Sequence, residues 1–308
     1  MRYSFLLSLI IISSFAQIYA QNFELKGLEI YNPVYFNPAF TSSDKLIQTD
    51  VLAYDFKINN GYWINAMSSL PNTNSSVGLS VGGSKYFKGY SSLERDRSDE
   101  NVSAQGKNIG ISYAYNHSFT EHLNLSGGVR LIHSIANFSD STTNLKSMNS
   151  GSLHTGLKIE YHKLYAGISV SNGLYLWSKR ENEANEIEVT RDKISPVINS
   201  NFIAGYSLGG ERRVNIDPVI GFRYAKSFDS DYSDFGFYGG GNIIFVKTIG
   251  IGFTAGSMFS LTTSVTILDR VSLMLGVYQI ELDNNLANND YSLGFDPLEF
   301  IVQLRIKL

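Results

Sequence analysis

The residues from Pro297 to Leu308 alternate between apolar and polar side chains. The apolar set is Leu298, Phe300, Val302, Leu304, Ile306 and Leu308, and the positions between them are mostly polar. A period of two predicts a β-strand with one apolar and one wet face. A tilted strand needs about ten residues to cross the hydrocarbon layer of a membrane. The pattern therefore predicts a strand of a membrane barrel, with lipid outside and a polar lumen inside.

The same pattern recurs along the chain and predicts an all-β fold, a transmembrane antiparallel barrel of about 14 strands. Turn signals separate the candidate strands, which lie at 46–58, 61–70, 75–87, 106–118, 122–138, 150–161, 163–173, 199–209, 212–227, 234–246, 248–256, 259–268, 270–280 and 297–308.

The connections between these strands differ in length by parity. Long polar connections at 88–105, 139–149, 174–198 and 281–296 all follow odd-numbered strands, whereas connections after even-numbered strands are short. Short turns on one rim and long loops on the other are typical of outer-membrane barrels. A soluble sandwich or propeller is the alternative, but no repeat of roughly 40 to 50 residues is visible for a propeller.

Composition and the N-terminal residues agree with export. Arg2, an apolar stretch from Phe5 to Ile12 and a cut before Gln21 predict a signal peptide at 1–20. The chain has no Cys, 19 Tyr, 19 Phe and a net charge of −3, which excludes disulfides and does not indicate nucleic acid binding. We therefore predict a signal peptide at 1–20, an N-terminal segment at 21–45 and a barrel at 46–308, located in the outer membrane.

Two Asn-Pro steps stand between the signal peptide and the first strand. The run reads Asn32, Pro33, Val34, Tyr35, Phe36, Asn37, Pro38, Ala39 and Phe40. Asn is a good helix N-cap and Pro suits the first helical position, so each step predicts a helical turn. Fourteen strands enclose more space than inward side chains fill, so we predict that this segment is a plug inside the barrel. Docking of a periplasmic or translocating partner is the sharper interpretation.

The paired Asn-Pro motif resembles the PorP/SprF family of outer-membrane barrels associated with type IX secretion and gliding motility. Segments 75–82, 108–115, 164–172 and 214–224 are similar to strands of that family. Thr41-Ser42 stands where the family usually has Ala-Gly. The resemblance implies a barrel that links to periplasmic parts of the machine, or that assists secretion or surface attachment of a partner adhesin.

Few residues of the sequence are candidates for a catalytic, cofactor or metal site. The five histidines, His117, His122, His133, His154 and His162, lack metal-ligand spacing, and no motif of a hydrolase or phosphate loop occurs. Asp229, Asp231 and Asp234 read as a solvated acidic loop rather than a Ca²⁺ site. We therefore predict no catalytic, cofactor or metal site.

Strand alternation assigns charges of both signs to the lumen, where they would pair with one another or with the plug. These are Asp55, Arg130, Lys158, Glu160, Asp217, Arg223, Glu299 and Arg305. Charges facing lipid are costly, so an inward position by itself does not indicate transport. The leading hypothesis is a non-enzymatic interaction protein of the type IX secretion system. The alternative is an outer-membrane channel or transporter for small hydrophobic or polar solutes.

Overall fold

The computed structural model describes residues 33–41, 47–55, 59–87, 102–138, 145–181, 187–191, 197–208, 214–227, 233–246, 248–256, 258–267, 270–280 and 299–307. The predicted signal peptide and most of the predicted long loops lie outside these residues. Among the described helices, none is long and apolar enough to cross a membrane.

The described strands form a closed antiparallel barrel of 14 strands, with one additional short strand, β8, attached to its rim. In chain order they are β1 (Ile47–Asp55), β2 (Asn59–Ser69), β3 (Ser75–Phe87), β4 (Val102–Thr120), β5 (Leu123–Phe138), β6 (Leu145–Tyr161), β7 (Leu164–Glu181), β8 (Ile187–Arg191), β9 (Val197–Tyr206), β10 (Val214–Ser227), β11 (Ser233–Phe245), β12 (Ile249–Gly256), β13 (Met258–Ile267), β14 (Val271–Ile280) and β15 (Glu299–Lys307). A short helix α1 (Pro33–Phe36) and a 3₁₀ turn (Pro38–Thr41) precede β1.

The first and last strands close the barrel. β1 pairs with β15 from Gln48 opposite Lys307 to Asp55 opposite Phe300, and each other barrel strand pairs with its neighbours in the ring. β7 is long enough to pair with three strands. Its whole length pairs with β6, its first half pairs with β9, and its last five residues pair with β8. The β7–β8 hairpin therefore extends beyond the ring on the long-loop rim.

Alternation sorts the side chains into an apolar outer face and a mixed inner face. Leu79, Ile111 and Leu275 are 50%, 59% and 51% exposed, as expected for side chains that contact lipid. Inward positions on the same strands are buried and often small or polar, such as Ser80 and Ala114. Inside the barrel, an apolar cluster draws on seven strands: Leu52, Tyr54, Trp63, Ile203, Val219, Tyr238, Met274 and Ile301.

The predicted barrel of 14 strands is confirmed, and the differences concern its long-loop rim. β4 begins at Val102, β6 at Leu145, and β7 continues to Glu181. Much of the predicted loop 174–198 is therefore strand, because the polar residues there pair as the β7–β8 hairpin. In this region one face of the strands carries both charged and apolar residues, so the two-residue period cannot be recognised from the polarity of the sequence.

The prediction for β1 took the wrong face as the inner one. Asp50, Leu52 and Tyr54 are its buried positions, whereas the predicted inward set was the alternate one that includes Asp55. Asp55 is the last residue of the strand, and its side chain lies outside the described part of the structure. Polarity alone misled the assignment, because the inner face of β1 carries apolar residues that fill the barrel.

Candidate functional site

The candidate site is the Asn-Pro segment, residues 33–41, together with the barrel wall that it contacts. Asn37 organises the segment locally. Its side-chain Oδ1 accepts a hydrogen bond of 2.9 Å from the backbone N–H of Ala39, and its carbonyl accepts one of 3.1 Å from Phe40. This is the N-cap geometry expected of Asn before Pro at the first position of a helical turn.

The segment lies against the inward faces of β3 to β7. The 3₁₀ turn packs on β3, β4, β5 and β6, and Phe40 reaches β7. Four inward glycines form the floor beneath it: Gly78, Gly128, Gly156 and Gly167. A Cβ at Gly128 would overlap the backbone of Pro38 and Ala39, and one at Gly167 would lie 2.6 Å from Cε2 of Phe40. Only residues without a side chain allow this close approach. We call these four glycines the glycine floor.

Polar contacts hold the segment on the glycine floor. The side-chain amide of Asn37, which is 3% exposed, donates to the carbonyl of Leu157 on β6 at 3.1 Å and to that of Ile168 on β7 at 3.2 Å. Arg130 on β5 is 2% exposed and donates from Nη2 to the carbonyl of Val34 at 2.6 Å. A charged donor to a buried carbonyl contributes more than a neutral one, so Arg130 anchors the helix and Asn37 anchors the turn.

Aromatic contacts also hold the segment against the barrel wall. The ring of Phe40 meets that of Tyr165 edge-on at 6.1 Å between centroids, and Nζ of Lys158 lies 4.9 Å from the centroid of Phe40. Lys158 also pairs with Glu160 at 2.8 Å. Phe36 and Phe40 both pack against the apolar cluster inside the barrel. The segment therefore connects the wall of β3 to β7 with side chains from the opposite wall.

The structure brings together most of the residues predicted for the motif. Phe36 and Phe40 are half-buried, and Asn37, Pro38 and Ala39 are buried. Pro33 and Tyr35 lie in α1, with side chains outside the described residues, and Asn32 is not described. The Arg130 contact links a predicted lumenal charge to this segment.

The other predicted lumenal charges lie elsewhere along the inner face. Arg223 is buried, and Asp217 accepts a hydrogen bond of 2.8 Å from Oγ of Ser207. Arg305 pairs with Asp50, which the sequence prediction missed. Glu299 begins β15, and its side chain is not described. The glycine floor was also missed, although small residues at alternate positions of neighbouring strands are the signal that identifies such a surface.

The described side chains form no group of three or more His, Asp or Glu able to hold a metal ion. His122 and His162 stack at adjacent short turns, with ring centroids 4.1 Å apart. Asp229 and Asp231 of the predicted acidic loop lie outside the described residues.

Among solved structures, several outer-membrane barrels are similar to this chain. The toluene transporter TodX of Pseudomonas putida matches with a TM-score of 0.48 and 9% identity over 94% of this chain and 93% of that one. The toluene transporter TbuX of Ralstonia pickettii matches at 0.47 and 8% over 88% and 92%. Omp33 of Acinetobacter baumannii matches at 0.45 and 7% over 86% and 98%. No curated protein has a detectably similar sequence.

A family model described as "Type IX secretion system membrane protein PorP/SprF" matches residues 30–293. This range begins just before the Asn-Pro segment and includes most of the barrel. The resemblance seen in the paired Asn-Pro steps thus extends over the greater part of the chain. The protein belongs to the PorP/SprF family of type IX secretion system membrane proteins, and it is an outer-membrane β-barrel.

Proposed function

We propose that this barrel acts as a non-enzymatic interaction protein of the type IX secretion machinery. In this role it assists the secretion or surface attachment of a partner adhesin, or links the outer membrane to periplasmic parts of the machine. The observation that carries the proposal is the seating of residues 33–41 on the inner wall. A barrel whose lumen holds its own chain is suited to hold partners at its rims rather than to conduct solutes.

The contacts of the segment with the barrel wall stabilise its docked position. Asn37 makes three hydrogen bonds through its side chain, and Arg130 adds a charge-assisted one. Each neutral hydrogen bond contributes about 1 kcal/mol and a charged one about 1.5 to 3 kcal/mol. Phe36 and Phe40 add apolar burial against the inner cluster. These contributions together favour a segment that remains docked and keeps the lumen closed.

The long-loop rim supplies a surface suited to a partner. The β7–β8 hairpin projects from the ring there, with Ile187 64% and Val189 59% exposed. Exposed apolar residues on a hairpin that projects from the ring favour protein contacts. Among the strands that the structure describes, β8 pairs with β7 alone. This hairpin supports a partner on the external side.

The second candidate function is a channel or transporter for small hydrophobic or polar solutes. The apolar cluster inside the barrel, with Leu52, Trp63 and Met274, favours it, because such side chains line a path for an apolar solute. The two functions differ in what the segment does. A transporter needs the segment to leave or to leave space, whereas an interaction protein works with the segment seated.

Deleting the gene and profiling the cell-surface proteins tests the interaction role. We expect specific surface proteins to disappear from the deletion strain and to return with the full-length gene. Solute uptake should be unchanged in the same strain. A deletion strain with a normal surface profile and a loss of uptake of one solute class would favour the transporter instead.

A further inference from the structure

The outer surface of β3 to β7 changes character towards the long-loop rim. Leu79, Ile111 and Leu131 lie side by side in the register and are 50%, 59% and 45% exposed. Two positions up each strand, the paired residues include Ile109 and His133. Two further up, they are Gly83, Lys107, Ile135, Asn149 and Trp177. An apolar wall is thus bordered by a band with cationic and aromatic groups.

Positive charge dominates the outward side chains of this band. Outward lysines lie at the long-loop ends of the described strands: Lys85, Lys107 and Lys179 on β3, β4 and β7, and Lys226 on β10 outside this band. Lys146, near the start of β6, also lies at this end. Glu181 is the outward acid among the described side chains, and its carboxylate already pairs with Nζ of Lys146 at 2.5 Å. The short-turn end of the same strands presents aromatic residues such as Phe119 and Tyr161. The outward lysines of the strands therefore lie at one end of the barrel.

The depth of these lysines follows from the cost of burying charge in lipid. An outward Lys costs about 2–4 kcal/mol at the bilayer midplane and about 0–1 kcal/mol near the interfaces. Lys107 and Lys179 lie outward near the long-loop ends of β4 and β7, so their place is the headgroup level of the outer leaflet. Trp177, which is 42% exposed, and Tyr175, whose hydroxyl lies 2.5 Å from Nδ1 of His133, match the aromatic belt found at that level.

We propose that Lys107, Trp177 and Lys179 form a binding site for the phosphorylated headgroup of an outer-leaflet glycolipid. The two lysines lie three strand intervals apart across the sheet, and Lys179 is two residues nearer the rim than Lys107. Their separation is roughly 16 Å, a spacing suited to a headgroup with two phosphates. Lys binds phosphate as a point charge, while Ile109 and Ile111 below Lys107 offer apolar surface to the acyl chains. This site depends on the outer-membrane placement and is independent of the secretion role.

Trp177 provides the readout. The chain has two tryptophans, and Trp63 faces the interior, so a Trp63→Phe variant leaves Trp177 as the single reporter. The full chain, refolded in detergent, is titrated with bisphosphorylated lipid A and with the same lipid after removal of its phosphates. We expect a saturable change in Trp177 emission with the phosphorylated lipid and at least tenfold weaker binding of the dephosphorylated one.

Matched variants separate the site from general charge effects. Lys107→Gln and Lys179→Gln should each weaken binding about fivefold, in line with roughly 1 kcal/mol per lysine near an anionic surface. Lys163→Gln, in the short turn between β6 and β7, removes the same charge at the other rim and should leave binding unchanged. Equal binding of the two lipids, or equal loss in all three variants, would overturn the proposal. A difference in migration between unboiled and boiled samples on a denaturing gel confirms folding of each variant.

Discussion

Nε of Arg305 lies 2.5 Å from Oδ1 of Asp50, directly across the seam where the last strand meets the first. Asp50 is fully buried, and its second oxygen accepts a hydrogen bond of 2.9 Å from Gln48. The chain positions that the two residues join are 255 apart in sequence. This ion pair therefore fixes the register of closure at the inner face of the barrel.

Removing one partner of this pair should weaken the closed barrel. Arg305→Gln leaves the buried carboxylate of Asp50 with Gln48 alone, and breaking a buried pair costs about 3–5 kcal/mol. Asp50→Asn should cost less, because no charge stays buried at its position. Urea unfolding, followed by the heat-modified band on a gel, measures both. The double variant should be less destabilised than the sum of the two, and simple additivity would show that the pair is not coupled.

The glycine floor should control the docking of residues 33–41. Gly128→Leu places a side chain where the backbone of Pro38 and Ala39 lies, so it should displace the segment. Gly127→Leu is the matched control, because a Cβ at Gly127 meets its nearest neighbour, Cδ2 of Leu157, at an ordinary 3.7 Å. The natural chain has no Cys, so a Cys in place of the buried Thr41 reports the displacement by its rate of thiol labelling.

We expect Thr41→Cys to label slowly alone, slowly with Gly127→Leu and at least tenfold faster with Gly128→Leu. Equal rates in the two leucine variants would show that the glycine floor does not hold the segment.

Asn37 should matter through its amide donors as well as through its cap. Asn37→Asp keeps the oxygen that caps Ala39, and Asp is as good an N-cap as Asn. It removes the donors to Leu157 and Ile168 and brings a carboxylate towards two carbonyl oxygens. We therefore expect Asn37→Asp to speed labelling of the Thr41→Cys reporter at least as much as Asn37→Ala does. Labelling at the wild-type rate in Asn37→Asp would reduce the role of Asn37 to helix capping.

Topology can be tested with single cysteines at the two rims. Val189 lies in the projecting hairpin and Asn72 in the short turn between β2 and β3, and both are exposed. On whole cells, an impermeant thiol reagent should label Val189→Cys and leave Asn72→Cys unlabelled until the outer membrane is opened. Labelling of Asn72→Cys alone would show that the barrel has the opposite orientation. The proposed lipid site would then lie in the inner leaflet.

The barrel itself could be predicted because most of its strands show a clear alternation of apolar and polar residues. In β14, Leu273 and Leu275 face lipid and alternate with Ser272, Met274 and Gly276, so periodicity fixes both the strand and its faces. The alternation of short and long connections then agrees with an even number of strands. The prediction failed at β1 and at the β7–β8 hairpin. There, apolar residues such as Leu52 fill the interior, and charged ones such as Lys179 face outward at the long-loop rim.

The contacts of the candidate site were less accessible from sequence than its location. The paired Asn-Pro steps predicted helical turns, and Asn37 caps one of them. The glycine floor involves residues from four strands between Gly78 and Gly167, and a single sequence does not show which positions become neighbours across a sheet. Asp50 was missed for the same reason, since its partner is set by closure rather than by local pattern.

Residues 33–41 are proposed to keep the lumen closed, and single-channel conductance in planar bilayers tests this role most directly. The full-length chain and a variant lacking residues 33–41 are compared, with gel mobility showing that both form barrels. We expect little or no conductance from the full-length protein and steady openings from the deletion variant. A full-length protein that conducts as well as the deletion variant would contradict the claim and favour the transporter.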